Sequence, residues 1–212
     1  MTVSKSPSLF VSEFFRSFHT TGAVLPSGRA LARALAAPLD ERSGPRKILE
    51  AGPGTGAVTE VLIRKLESGD ELTLCEINPA FADRLEERLR TDPVWREKRE
   101  AVRVLRADVR EIARAGAFDL IVSGLPLNNF SPELVGELLD GFLEGLAPGG
   151  IHTFFEYRAI RRIRMRVGSS QGRRRMRAIE EAVMERLRST EWERVSVMAN
   201  IPPAWVYKAR VR

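Results

Sequence analysis

The residues best placed to do chemistry lie in one short run, LEAGPGTGAVTE at positions 49–60, which sets Glu50 ahead of three alternating glycines, Gly52, Gly54 and Gly56. Glycines let a loop bring its backbone close to a ligand, with N–H groups and a helix N-terminus aimed at an anionic group. A carboxylate or a phosphate would satisfy them equally. Gly52, Gly54 and Ala57 also fit the dinucleotide pattern G-x-G-x-x-G/A, so the run alone leaves the ligand open. Further acids follow at the ends of later apolar runs, Glu76 in ELTLCEI and Asp108 in LRADV. Glu50 suits a ligand that carries positive charge. Glu76 could accept bonds from both hydroxyls of a ribose, which a nicotinamide enzyme would also need.

These residues require elements to position them. The pattern predicts buried strands at 47–52, 71–77, 101–109, 118–126 and 151–157, alternating with helices at 57–67, 79–91 and 131–150. Pro79 fits the first turn of its helix, Ser131 the N-cap and Pro132 the N1 position of the next, and Pro148-Gly149-Gly150 its stop. A helix over 177–190 and two β-rich stretches, 192–201 and 204–211, close the chain. Alternating strands and helices imply a parallel doubly wound sheet, and the last two strands, with no helix between them, an antiparallel pair. Upstream, 29–39 reads as a short helix stopped at Pro38. Phe10, Val11, Phe14, Phe15 and Phe18 share one helical face, which is either a core stripe or an interfacial helix on lipid. The expected division is an N-terminal helical segment, 1–40, that caps the site or contacts membrane, and a main domain, 41–212, with a basic insertion at 158–177.

Charge is distributed unevenly. The chain's net charge is +6, yet residues 158–177 hold nine arginines and no acid. The other residues carry 25 Lys+Arg against 28 Asp+Glu, a net of −3. The arginines Arg158, Arg161, Arg162, Arg164 and Arg166, with Arg173 and Arg174 beyond them, alternate at first with Ile160, Ile163, Met165 and Val167. That mixture suits a surface offering anionic headgroups and apolar depth; RNA would meet the arginines but not the isoleucines. A solvated basic loop is the plainer alternative. The single cysteine, Cys75, excludes an internal disulfide and fits a reducing cytoplasm. No apolar run reaches the roughly 20 residues of a membrane span. Glu13 and Arg16 interrupt the apolar opening, so no secretory signal is expected.

A mostly parallel sheet that ends in an antiparallel pair is the layout of the class I S-adenosylmethionine-dependent methyltransferases. Over nearly its whole length the chain resembles one branch of them, the bacterial phospholipid N-methyltransferases. The segments that carry the likeness are FFRSFHTTGAVLPSGRALARAL, GPGTGAVT, SGLPLNNF, FFEY and NIPPAWVYK. The resemblance implies a Rossmann-like fold with a seven-stranded, mostly parallel sheet whose last strand is antiparallel, helices on both faces and extra N-terminal helices. It implies S-adenosylmethionine as cofactor, S-adenosylhomocysteine as product and no metal. Glu50, Gly52, Gly54, Gly56, Glu76, Ile77, Asp108, Val109 and Ser123 would hold the cofactor, with Asp108 at the adenine. Asn128, Asn129 and Tyr157 would serve the transfer itself. Phe130, Trp205 and Tyr207 would face the acceptor, where aromatic rings can hold a growing methylammonium charge. Phe14, Phe15 and the arginines would meet an anionic membrane at its inner face. His19 and His152 are expected to be structural. Phosphatidylethanolamine, methylated towards phosphatidylcholine, is the implied acceptor, with ornithine lipids an alternative because FFEYR lacks the Gly-Pro that often follows the tyrosine. Ribosomal RNA adenine dimethylation is the second reading; Gly124-Leu125-Pro126-Leu127 lacks its leading Asn and its aromatic. A cofactor-binding protein without catalysis is the third.

Overall fold

The computed structural model describes residues 28–41, 44–114, 117–158 and 170–212. The expected strands form and pair as one seven-stranded sheet. In chain order they are β1 (Lys47–Ala51), β2 (Glu71–Cys75), β3 (Val102–Leu105), β4 (Phe118–Ser123), β5 (Leu146–Tyr157), β6 (Glu191–Val197) and β7 (Ala204–Arg210). Their order across the sheet is β3-β2-β1-β4-β5-β7-β6. All pairings from β3 to β5 are parallel, and β7 runs antiparallel between β5 and β6. This is the Rossmann-like methyltransferase sheet with its antiparallel last strand.

The helices are α1 (Arg29–Ala36), α2 (Ala57–Lys65), α3 (Pro79–Thr91), α4 (Pro93–Glu97), α5 (Val109–Arg114), α6 (Pro132–Glu144) and α7 (Ser170–Leu187). Local sequence sets several of their starts. Asn78 accepts from the Ala80 N–H and Ser131 from the Leu134 N–H, each followed by proline at N1. Such caps satisfy N–H groups that the first helical turn leaves unpaired.

Period-two alternation divides the core in two. Leu49, Ile121 and Phe154 face α5, α6 and α7, against Leu138, Phe142 and Ile179. Ile48, Val122 and Phe155 face α1 to α4, against Leu35, Leu62 and Trp95. Helix α1 is integral to this second core: Leu31 and Leu35 are fully buried, and Thr153 Oγ1 donates to the Leu35 carbonyl at 2.9 Å. At the amino ends of β1 and β2 a buried ion pair closes the base of the sheet. Arg46 bonds Asp70 through its backbone N–H (2.9 Å) and its Nε (3.0 Å).

Three boundaries differ from the sequence reading. Helix α7 covers Ser170–Leu187, so Arg173, Arg174 and Arg175 lie on it and not in an insertion ahead of it. Arginine is a good helix former, and nothing from 173 to 177 breaks the pattern. Strand β5 starts at Leu146, because Pro148-Gly149-Gly150 fall in a register shift between Phe118↔Leu146 and Leu120↔Ile151. Asp92 accepts from the Val94 and Trp95 N–H groups, and the capped helix α4 buries Trp95 completely.

Candidate active site

The carboxyl ends of β1, β2 and β4 are knit together by backbone bonds. Gly52 N–H donates to the Cys75 carbonyl (3.0 Å), and Gly124 N–H to the Ala51 carbonyl (2.9 Å). The loop after β1 then turns through three residues of positive φ: Gly52 at 68°, Gly54 at 55° and Gly56 at 82°. Gly52 is fixed twice over. Its φ disfavours any L side chain, and a Cβ there would lie 2.4 Å from Leu125 Cδ2. A Cβ on Gly124 would in turn lie 2.8 Å from the Gly52 carbonyl, so the two loops touch backbone to backbone.

Glu76 stands directly after β2 and is fully buried. Its Oε2 accepts from Gly54 N–H at 2.9 Å and its Oε1 from Asn78 N–H at 2.8 Å. Burial raises its pKa, and the N–H bonds from Asn78, Gly54 and Ile77 oppose that. Beside it opens a shallow cleft whose walls include Gly52, Ile77, Ala107, Val109 and Leu125. A flat apolar ring system with a hydroxylated sugar fits such a cleft: apolar walls for the ring, one fixed carboxylate for the hydroxyls.

Glu50 lies one residue before the end of β1, on the α2 face, with no exposure. Its Oε2 accepts from Thr59 Oγ1 at 2.7 Å, and its Oε1 is buried without a partner. Burial pushes its pKa up to about 8; the neighbouring Glu76 charge adds to the rise and the Thr59 bond opposes it. An orphaned buried carboxylate oxygen at the rim of a glycine loop favours a ligand with positive charge. The donor set therefore fits a cationic, adenosine-bearing cofactor.

The remaining expected site residues fall into distinct places. Val109 and Ile77 line the cleft. Asp108 is held by Arg110, whose Nε lies 3.1 Å from both carboxylate oxygens and whose Nη1 reaches Glu137 on α6 at 2.8 Å. Ser123 is fully buried, and its Oγ accepts from Leu125 N–H at 3.3 Å. Phe130 is a correction: expected to face the acceptor, its ring is wholly buried in the core, carried inward as the chain enters the Ser131 cap of α6. Arg175, which sequence reasoning passed over, donates from one Nη to the carbonyls of Asn129 and Phe130, both at 2.9 Å, and braces that turn.

Tyr157 ends β5 on the α1–α4 face, edge-on to Phe155 with ring centroids 5.0 Å apart. Burial raises its pKa. Asn128 lines a cavity on the opposite, α7 face, together with Glu156 and Tyr207. Tyr207 stacks on Phe154 at 4.8 Å, and Trp205 carries the guanidiniums of Arg158 and Arg194 over its ring at 4.5 and 4.7 Å. Both rings are engaged by the chain itself, in strand packing and in cation–π contact. Arg173 is half-buried and Arg174 exposed on α7. Phe14, Phe15, His19, Arg161, Arg162 and Arg164 lie outside the described residues. His152, between Phe142 and Phe154, is buried, and burial alone lowers its pKa to about 3. Burial, with the charges of Glu76 and Asp108, pushes the Cys75 thiol up to about 12. Neither is available for proton transfer or nucleophilic work near neutrality. Among the described residues no group of His, Cys, Asp and Glu could hold a metal ion.

Comparison with known proteins agrees with this geometry. Residues 48–150 match the family model described as a methyltransferase domain. The chain is 30% identical over 146 residues to the ornithine lipid N-methyltransferase of Singulisphaera acidiphila, covering 67% of this chain and 73% of that protein. It is 38% identical over 88 residues to the ribosomal RNA small subunit methyltransferase A of Acidobacterium capsulatum, covering 39% of this chain and 28% of that one. Among solved structures, the Bacillus cereus O-methyltransferase in complex with S-adenosylhomocysteine superposes with a TM-score of 0.66 at 16% identity, covering 100% of this chain and 94% of that one. The Streptomyces achromogenes O-methyltransferase of tomaymycin synthesis, in complex with S-adenosylmethionine, gives 0.67 at 14% identity, covering 99% and 92%. At these identities the structural likeness establishes the fold alone.

Proposed function

The chain belongs to the class I S-adenosylmethionine-dependent methyltransferases, and from that premise we propose that it methylates the headgroup amine of a membrane lipid. S-adenosylmethionine supplies an electrophilic methyl group on a cationic sulfur. Glu76, fixed by the Gly54 and Asn78 N–H groups, would take the ribose hydroxyls. Glu50 would face the positive charge, and Leu125 with the glycine loop would keep water from the transfer point. The chain's task is position and dryness, since the cofactor carries the intrinsic reactivity.

One observation carries the lipid reading: the edge that holds the cofactor cleft also presents a cationic and apolar surface. Arg158 follows β5, and Arg173, Arg174 and Arg175 lie on α7 beside the turn after β4. The β6–β7 turn at the same edge exposes Met198 by 63% and Ile201 by 82%. A peripheral enzyme at an anionic leaflet needs both kinds of contact. The lipid relative is matched over 73% of its length and the RNA relative over 28%, which also supports a lipid acceptor. An ornithine lipid is favoured by that relative's name, phosphatidylethanolamine by the segments SGLPLNNF and NIPPAWVYK.

The test is methyl transfer from labelled S-adenosylmethionine to three acceptors in parallel. These are anionic vesicles with phosphatidylethanolamine, anionic vesicles with ornithine lipid, and unmodified ribosomal RNA. Label in a lipid phase is expected, and chromatography then counts the methyl groups. Label only in RNA overturns the reading.

A further inference from the structure

A second cavity, separate from the cofactor cleft, lies under α7. Phe154 and Glu156 lie on one face of β5, with Arg158 just past its end. In register with them, β7 places Tyr207 opposite Phe154 and Trp205 opposite Glu156, and β6 places Arg194 opposite Tyr207. Helix α7 covers this face with Ile179, Val183 and Met184. Between sheet and helix is a partly open pocket lined from β5, β6, β7, α7 and the turn after β4. Its wall is apolar, yet Glu156, Glu180 and Arg194 all reach it. Tyr207 Oη donates to Glu156 Oε2 at 3.3 Å, and Arg194 is steadied over the Trp205 ring. The cavity ends at Leu127 and Asn128, two and three residues from Leu125, which walls the cofactor cleft.

We infer that this cavity is the acceptor subsite and takes a zwitterionic headgroup: an ammonium against Glu156, the adjoining phosphate or carboxylate against Arg194, and the first methylenes along Val183 and Met184. The inference rests on the amine-lipid reading and deepens it. A purely cationic ligand would meet Arg194, and a purely anionic one the two carboxylates. An uncharged apolar ligand would offer a partner to neither sign of charge. A zwitterion with an apolar continuation satisfies each group, because a carboxylate that already accepts one bond has lone pairs for others. The position beside Asn128 brings the amine to the loop that borders the cofactor. Phosphatidylethanolamine and ornithine lipid share this chemistry and differ in the anion.

The test is calorimetric binding of dihexanoyl phosphatidylethanolamine and of a short-chain acyl-ornithine to protein saturated with S-adenosylhomocysteine. The tighter ligand identifies the anion. Glu156→Gln and Arg194→Gln are each expected to weaken lipid binding by about ten-fold or more, the scale of a hydrogen bond to a charged group. Val183→Trp, which fills the cavity from the helix side, is expected to abolish it. Affinity for S-adenosylhomocysteine, unchanged in all three, reports that each variant is folded. Wild-type binding that none of the variants alters overturns the subsite and leaves the lipid reading standing. Binding of neither lipid by wild type, with cofactor product still bound, overturns the lipid reading and the subsite with it.

Discussion

Replacing Glu50 by glutamine should stabilise the free protein while impairing its cofactor site. The side chain is fully buried, one of its oxygens has no partner, and its pKa rises from an ordinary 4.5 to about 8. Relative to a side chain that never ionises, a group whose folded pKa is raised costs nothing below its unfolded value. The cost grows from 4.5 and levels off above about 8. At pH 7 the unfolded chain holds Glu50 ionised and the folded chain must protonate it, which at about 1.4 kcal/mol per pH unit over 2.5 units comes to about 3 kcal/mol. Glutamine keeps the shape and can still accept the Thr59 bond. Glu50→Gln is therefore expected to gain about 3 kcal/mol at pH 7, roughly 6–12 °C in Tm for a chain of this size. It should gain nothing near pH 4.5 and about 5 kcal/mol at pH 9. Thermal melts of both proteins across that range read the difference directly. In the same variant, affinity for S-adenosylmethionine should fall more than affinity for S-adenosylhomocysteine, which lacks the sulfonium charge. A stability difference that is flat with pH, or a variant less stable at pH 7, would refute the burial argument.

Asp70→Asn leaves Glu67, at 3.7 Å, as the carboxylate nearest the Arg46 guanidinium, and urea titration should show a loss of about 1.5–3 kcal/mol, the scale of a hydrogen bond to a charged group. Cofactor affinity of the surviving folded protein should be unchanged, since the pair lies at the amino ends of β1 and β2. Tyr157→Phe should leave turnover and cofactor affinity close to wild type, because its ring packs on the face of β5 opposite the acceptor cavity; a selective loss of turnover would place the acceptor on the Tyr157 side instead. Binding to anionic vesicles should fall steeply with added salt, each arginine near the leaflet contributing about 1 kcal/mol at low ionic strength. Changing the exposed Met198 and Ile201 together to serine should weaken it further at constant salt, and equal binding to neutral vesicles would refute the electrostatic half of the reading.

The cofactor half of the molecule was legible because its signals are local. Gly52, Gly54 and Gly56 sit within five residues of one another, and their positive φ values leave few alternatives to glycine. Glu50 and Glu76 each close a strand whose apolar run announces it. The Ser131 cap depends on a neighbour three residues away. Where partners are distant in sequence, the reading failed or stayed incomplete. The Arg46–Asp70 pair spans 24 residues and the Arg110–Glu137 bond 27, and no spacing rule connects them. Phe130 was expected to face the acceptor through the resemblance carried by SGLPLNNF. Its burial depends on where α6 begins, and so on how that helix docks on the sheet.

The acceptor side shows why alternation has to be read together with pairing. In FFEYR, Phe155 and Tyr157 belong to one face of β5, and Phe154 and Glu156 to the other. Sequence alone identifies the two sets without saying which of them meets a cavity. Tyr157 drew attention as a polar aromatic at a strand end, yet its face packs on α1 and its ring fills the second core. Glu156 reads as an ordinary solvent-side acid until β7 sets Trp205 opposite it and β6 brings Arg194 into the next row. Those neighbours arrive from about 40 to 50 residues downstream, with α7 between, and only an antiparallel β7 can deliver them in that register. The reversal of the last strand thus does more than close the sheet. It assembles charges of both signs around one apolar cavity, beside the turn that borders the cofactor.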